Sequence, residues 1–450
     1  MPRFAAATAA AFLVFVGAAR LAAAQDAPLL TIDDAVALAL QQNRSIRAAA
    51  LDVDKAGDAI GALRARRFPA FEVDFLEGRL LGDFNLRFPA GAFGTFPATG
   101  PVPGSDMTIS TPAQWTSTAL VRVTQPLTAL HRIAIGEQQL TIGRRQASER
   151  LRGARQTVAN QVQRLYYGIL QADGGLAAAE QSLAMHQEVA RLVAERVQEG
   201  TSLQADALDV QAAIAKQQAQ ITELRDTSAS LHEQLNAVLG RDIATPFSVA
   251  PVPPAAPGTE TLTDLETRAL GQRPDVREAR LAVDQAEADV KLKHAAFIPE
   301  VSATVNFLSF SRIQVLPRAA AVAGVLATWE PFDWGRKRHD LAASEKTVEQ
   351  AKAALADAEA RARTEVRSRY RALSEARALV QAADLGAQAA RERLRLTTNL
   401  YREQKALLED VLQKQTALAA ADQEHTGALA RLGTARADLE QALGDPLGDR

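Results

Sequence analysis

The sequence contains no cysteine among its 450 residues. Disulfide bonds, thiolate nucleophiles, cysteine-ligated zinc and iron–sulfur clusters are therefore excluded. The histidines are scattered and never fall at the spacing of a zinc-binding HxxxH pair. No Ser/His/Asp set or phosphate-binding glycine loop is recognisable either. The sequence therefore predicts no cofactor, no metal site and no enzyme activity.

Aromatic residues make up only 5% of the chain, and the formal net charge is only −2. Because positive and negative side chains are interspersed, the electrostatic basis for nonspecific nucleic-acid binding is missing. Nucleic acid is therefore not an expected partner. The abundant residues are Ala, Gln, Leu, Glu and Arg, a mixture that favours long helices over β-sandwiches.

Long apolar runs are also missing after the first two dozen residues. No later stretch reaches the ~18 apolar residues of a transmembrane helix. At the start, Arg3 precedes a short apolar run over 5–19, and three alanines precede Gln25. This pattern predicts a signal peptide over 1–24, and the alternative is an uncleaved N-terminal membrane anchor.

The remaining chain contains an internal duplication. Ile46 matches Val276 within one ungapped register, and Tyr166 matches Tyr370 within a second. Each copy is predicted to contain a helix, a strand pair and a long coiled-coil hairpin. The predicted boundaries are a first repeat over 25–243 (opening helix 33–66, strands near 71–88 and 115–125, hairpin 128–241), an extended Pro-rich linker over 244–260, and a second repeat over 261–450 (strands near 300–310 and 319–329, hairpin 335–443).

The hairpin segments carry apolar residues at alternating spacings of four and three, for example from Leu165 to Val197, which is coiled-coil patterning. A helix over 128–199 would be roughly 100 Å long at ~1.5 Å per residue. That length suits a chain that spans a compartment.

The strands alternate apolar and polar residues, most clearly over 301–307. One face could meet lipid and the other a watery lumen, although any single strand fits a half-buried soluble sheet as well. Four strands cannot close a barrel, so the chain is predicted to assemble with copies of itself.

Several short motifs mark the element boundaries of the duplicated chain. They are the opening run 30–35, the prolines at the helix-to-strand junctions (Pro69 and Pro299), the strand-to-helix junctions 125–127 and 330–336, and the helix-tip segments 200–203 and 205–208. In this order the motifs resemble those of the TolC-like outer-membrane efflux family, and the resemblance covers essentially the whole mature chain.

The resemblance implies a mainly α fold with a small transmembrane β part, assembled as a homotrimer with a β-barrel and an α-helical tunnel. It implies an outer-membrane location with the helices in the periplasm. The expected function is a passive exit duct in a tripartite efflux or type I secretion system. The expected partners are outer-membrane lipid, a periplasmic adaptor (membrane fusion) protein and an inner-membrane RND or ABC transporter.

In such proteins the helix tips close the periplasmic entrance, and here the tips lie near Gly200–Asp206 and Tyr401–Asp410. The candidate gate residues are Asp410, Tyr401, Arg402, Gln404, Asp206, Gly200 and Thr201. Acidic rings at Asp410 or Asp206 would favour cations, but each could instead be an ordinary residue of a first helical turn. Thr201 with Gln204 fits a capping box, and Tyr401 with Arg402 could tie neighbouring helices together.

Two other classes also fit parts of the pattern. A periplasmic coiled-coil adaptor would be exported, but it would have one hairpin flanked by β-rich domains. A structural tether would explain the long helices but not the alternating strands. The duplicated strand pairs therefore favour the channel.

Overall fold

The computed structural model describes residues 28–200, 203–252, 260–313, 317–403 and 405–445. The predicted signal peptide over 1–24 lies outside the described residues, as do Thr201 and Gln404. The described elements of the first half are β1 (Leu29–Leu30), α1 (Ile32–Gln42), α2 (Arg44–Ala65), β2 (Ala70–Arg79), β3 (Phe84–Phe88), β4 (Thr95–Phe96), β5 (Gly100–Pro101), β6 (Met107–Thr111), β7 (Trp115–Pro126), α3 (Ala129–Gln198) and α4 (Gln204–Leu239).

The second half repeats this order without the short strands of the first. The short strand β8 (Ser248–Val249) lies in the linker between the halves. The elements of the second half are α5 (Leu262–Gln272), α6 (Pro274–Ala295), β9 (Glu300–Ser311), β10 (Ala319–Thr328), α7 (Arg336–Arg402) and α8 (Leu408–Leu443). Within the described ranges, no helix is long and apolar enough to cross a membrane.

The opening helix expected over 33–66 is in fact two helices, so that prediction was wrong. The break is at Asn43, whose side-chain oxygen accepts hydrogen bonds from the backbone N–H groups of Ser45 and Ile46. Its amide nitrogen donates to the carbonyl of Val238 at 2.8 Å. Asn43 is therefore the N-cap of α2 and also fastens this break to α4.

One further boundary differs from expectation. The strand predicted over 71–88 is interrupted, because β2 ends at Arg79 and β3 pairs with β6 in a separate two-stranded sheet. The predicted linker contains no helix in its described part, and its strand β8 pairs in parallel with β1. This pairing joins the beginning of the first half to the linker that follows its last helix.

The main sheet has the antiparallel strand order β10-β9-β7-β2. Each half thus supplies two adjacent strands, and β7 and β9 join the halves. Neither β2 nor β10 has a further strand beside it in the part of the chain that is described. The sheet therefore ends in two open edges.

The two faces of this sheet differ in polarity. One cross-strand row consists of Phe71, Val123, Val305 and Ala323. The neighbouring row, on the opposite face, contains Glu72, Arg122 and Asn306, and there the guanidinium of Arg122 donates to the other two side chains at 2.9 and 3.3 Å. The alternation of side chains along each strand produces this division.

The four long helices pack side by side in the order α4-α3-α8-α7. Helix α3 lies between α4 and α8, whereas α4 and α7 have one long helix beside them each. Small residues allow the close approach of α3 and α8: a methyl group added to Gly433 would overlap the ring of Tyr167. The outer sides of α4 and α7, at the two ends of this layer, are therefore not covered by another long helix within the described ranges.

Candidate functional site at the helix tips

The two long hairpins end at the same level, and an apolar cluster holds their tips together. Buried members of the cluster come from all four long helices: Val189, Val193, Val210, Leu394, Tyr401 and Val411. In the first hairpin, Gly200 follows α3 with φ +72°, a left-handed conformation that glycine adopts without strain. Gly200 therefore begins the turn between α3 and α4.

Asp206 and Asp410 occupy equivalent positions at the starts of α4 and α8. Each carboxylate accepts a hydrogen bond from the backbone N–H three residues earlier, Leu203 at 3.0 Å and Leu407 at 3.1 Å. This is the reciprocal half of a capping box, and a carboxylate there is also favoured by the helix dipole. Both aspartates thus have a structural role, and the Asp410 side chain is also exposed to solvent.

The capping box predicted from Thr201 and Gln204 was wrong. Helix α4 begins at Gln204 itself, and the N-cap is Leu203. A leucine side chain has no acceptor, so among the described residues the side-chain cap comes from Asp206 in the first turn. The sequence contained this signal, because Asp206 lies three residues after Leu203.

Tyr401 is buried, with 5% of its surface exposed, and its partner is Arg196 of α3. The guanidinium carbon of Arg196 lies 4.2 Å from the centre of the tyrosine ring, a cation–π distance. Its Nη2 also lies 3.4 Å from the Tyr401 carbonyl oxygen. Arg196 therefore links the first hairpin to the second at the tips.

Sequence reasoning paired Tyr401 with Arg402 and missed Arg196. Arg402 is exposed, and it acts on α3 through its charge. The pKa of Glu188 is lowered mainly by a hydrogen bond from Arg191, and the charges of Arg191 and Arg402 lower it further. Basic residues of both hairpins thus lie close to acidic residues of α3 near the tips.

His186 lies on the buried side of α3, less than one helical turn from Val189 of the tip cluster. It is packed, but its buried Nδ1 has no hydrogen-bond partner among the described residues. Burial lowers the pKa of His186 below the usual 6.5.

At the other end of the long helices, the predicted strand-to-helix turn at Trp334–Gly335 is confirmed. Gly335 has φ +87°, and the Asp333 carboxylate accepts hydrogen bonds from the backbone N–H groups of Gly335 and Lys337. Trp334 is 88% exposed and packs edge-on against the Phe332 ring. Aromatic side chains thus protrude where sheet and helices meet.

Within the described ranges, no group of histidine and acidic side chains could hold a metal ion. The main features of this chain are instead a sheet with one apolar face and two open edges, two helices of 70 and 67 residues, and two helical hairpins whose tips contact each other.

A family model described as outer membrane efflux protein matches residues 35–241 and 265–445. The chain therefore belongs to the outer membrane efflux protein family, which is a family of channels and not of enzymes. The two matched segments correspond to the two halves of the duplication.

Solved structures share the fold over nearly the full chain. A membrane protein from Pseudomonas aeruginosa is 22% identical, with a TM-score of 0.74 over 92% of this chain and 93% of that one. The Campylobacter jejuni CmeC outer membrane channel is 16% identical, with a TM-score of 0.75 over 93% and 87%. The open state of the Neisseria gonorrhoeae MtrE outer membrane channel is 18% identical, with a TM-score of 0.71 over 92% and 89%. No curated protein matches the chain significantly.

Proposed function

We propose that three copies of this chain form the passive exit duct of a tripartite efflux or type I secretion system. The observation that carries the proposal is the main sheet, with open edges at β2 and β10 and one apolar face. Open edges in lipid would leave backbone groups without hydrogen bonds, so the sheet needs strands from other copies.

In this arrangement β2 of one copy lies beside β10 of the next, and the joined sheets close into a barrel. The apolar rows face lipid, and the row with Glu72, Arg122 and Asn306 faces the lumen. Exposed aromatic rings at the sheet–helix junction, including Trp334, lie where the outer membrane meets the water of the periplasm, and such rings are favoured at a membrane–water boundary. The long helices extend into the periplasm as a tunnel.

The tips form the periplasmic entrance. The Arg196–Tyr401 contact holds the two hairpins of one copy together in the closed arrangement. Asp410, repeated around the trimer axis, gives the entrance a negative potential that attracts cations. Asp206 contributes less, because its side chain is less exposed than that of Asp410.

The duct opens when a periplasmic adaptor engages the tips and couples them to an inner-membrane RND or ABC transporter. The pump selects the cargo, and the duct conducts it outward. Two exposed leucines at the tips, Leu203 and Leu407, offer apolar contacts for such an adaptor.

The test is reconstitution of export in a cell that lacks its own outer-membrane duct. The chain is expressed with an adaptor and pump pair that cannot export without an outer-membrane duct, and efflux of that pump's substrate is measured. Export should require all three proteins. If adding the chain does not raise export, the proposal is wrong.

A further inference from the structure

The end of the main sheet farthest from the long helices carries a cluster of arginines. Strands β2 and β9 end there, and β7 and β10 begin there. We define the distal rim as Arg79, Trp115, Arg312 and Arg318, all of which are exposed. The rim has no part in the entrance at the opposite end of the molecule.

Arg79 and Trp115 are direct cross-strand partners of β2 and β7. Along β2, side chains of every second residue share a face. Arg79 therefore lies on the same face as Phe71, Val73 and Phe75, at its outer end. The cross-strand row of Glu77, Ser117 and Ser311 ends the apolar part of this face, and an arginine beside a tryptophan follows directly beyond it.

The other two arginines are held at the same end by backbone contacts. The Gln114 side chain, next to Trp115, donates to the carbonyl oxygen of Arg312 at 2.7 Å. The carbonyl of Arg318 accepts a hydrogen bond from the Phe310 backbone N–H at 3.0 Å. The backbone of Arg312 is therefore held beside the start of β7, and the backbone of Arg318 is held beside the end of β9.

The rim arginines keep their charge uncompensated by salt bridges. In the described part of the chain, none of the three has a carboxylate within 4.0 Å, whereas nearby Arg87 is paired with Asp106 at 2.9 Å. Asp83 accepts a hydrogen bond from the Ala113 backbone. Glu77 is the one acidic residue of β2 on the same face as Arg79. The three arginines outnumber it, so the net charge at the rim stays positive.

We infer that the distal rim binds the phosphate groups of membrane lipids in the outer leaflet. This inference rests on the proposed function, which places the apolar face in lipid. Along β2, the distance from Phe71 to Arg79 is about 26 Å at ~3.3 Å per residue. In a strand tilted by ~40°, this length covers most of the ~25 Å apolar band of a membrane barrel. Arg79 therefore lies at the membrane–water boundary.

At that boundary an arginine extends its guanidinium toward the headgroups while its stem stays on apolar surface. A lipid phosphate is the anion available at this depth, and the guanidinium binds phosphate through two parallel hydrogen bonds. The Trp115 ring is favoured at the same level. Arg312 follows the last residue of β9 and Arg318 precedes the first residue of β10, so the strand alternation does not confine either side chain to one face. Together with Arg79 they offer charge for a lipid with more than one phosphate.

The test uses the purified full chain in detergent and measures its thermal unfolding midpoint against added lipid. The probes are diphosphoryl lipid A, its monophosphoryl form, phosphatidylcholine and inorganic phosphate. The rim variant is Arg79→Gln, Arg312→Gln and Arg318→Gln together. A matched control removes the same charge from exposed helix positions, as Arg44→Gln, Arg371→Gln and Arg393→Gln.

Diphosphoryl lipid A should raise the midpoint most, and its apparent affinity should fall at least about tenfold in the rim variant but not in the control. Unchanged affinity in the rim variant would overturn the inference. An equal effect of inorganic phosphate would assign the rim to a free anion instead of a lipid. Conductance of the same preparations in planar bilayers separates the two proposals: a wild-type protein that forms no pores contradicts the proposed function itself.

Discussion

The buried hydroxyl of Tyr166 lies 2.8 Å from the carbonyl oxygen of Leu30. It lies equally close to the carbonyl of Ala250, so one side chain of α3 fastens both β1 and β8. Burial raises the pKa of Tyr166, which keeps the hydroxyl protonated as a donor. The first half of the duplication is thereby closed on itself.

Replacing this tyrosine should weaken that closure. Tyr166→Phe removes the hydroxyl proton that the two carbonyl oxygens share, and it should cost ~1–3 kcal/mol of stability. The Leu30 carbonyl keeps its hydrogen bond from the Ala250 backbone N–H, so the Ala250 carbonyl loses more. The measurement is the denaturant midpoint of the detergent-solubilised protein. The equivalent Tyr370→Phe is the control, because the Tyr370 hydroxyl makes no hydrogen bond among the described residues. Equal effects of the two substitutions would contradict this role.

A second prediction concerns the contact between α3 and α8. Gly433→Ala should destabilise the protein by ~1–3 kcal/mol, because the added methyl overlaps the Tyr167 ring. Gly386→Ala on α7 meets open space and should be neutral or stabilising by ~0.5–1 kcal/mol. Thermal midpoints compare the two variants, and a neutral Gly433→Ala would show that the helices are less closely packed.

The third prediction is a pH dependence. Because the folded pKa of His186 is below 6.5, the unfolded chain binds more protons as the pH falls through 6.5. Stability contributed by neutral His186 is therefore present above pH 6.5 and is lost progressively toward its lower folded pKa. His186→Leu should reduce this loss in urea unfolding at pH 7.5 and at mildly acidic pH, whereas the exposed His339→Gln should not. An identical pH profile for all three proteins would refute the prediction.

The tip contact between the hairpins should control opening. Tyr401→Leu keeps an apolar side chain but removes the ring under Arg196, and Arg196→Gln removes the cation. Loss of a cation–π contact of ~0.5–2 kcal/mol corresponds to about a two- to thirty-fold shift toward the open state per contact. Conductance in planar bilayers without adaptor measures the shift. If the double variant conducts no more than wild type, the contact does not hold the entrance closed.

Asp410→Asn tests the acidic ring. Asparagine can still accept the hydrogen bond from the Leu407 backbone, so the trimer should remain stable. Cation selectivity and block by multivalent cations should decrease in planar bilayers, with a smaller decrease for Asp206→Asn. Unchanged selectivity in a correctly assembled Asp410→Asn protein would leave this residue with its helix-start role alone.

The sequence predicted the long helices, the strand pairs and the turn at Gly335 because each has a repeated local signal. The break at Asn43 also had one, a capping asparagine, but the apolar periodicity continues through it and hid the boundary. The Arg196–Tyr401 contact had no local signal. It depends on how far α3 and α7 extend relative to each other, which only the packed helices define.

The account rests most on strand pairing between copies, and disulfide cross-linking measures it directly. Because the chain has no native cysteine, Val73→Cys on β2 can be combined with Cys at Ala321, Ala323 or Val325 on β10. All four positions lie on the same face of the sheet in the described register. As a control, Val121→Cys on the central strand β7 replaces Val73→Cys.

At least one β2–β10 pair should yield covalent dimers and trimers, and nothing larger, on a denaturing gel after oxidation of native protein. The Val121 control should yield none. A folded protein that stays monomeric with every β2–β10 pair, while retaining its native β-sheet circular dichroism, would contradict the central claim that copies of this chain complete one another's barrel.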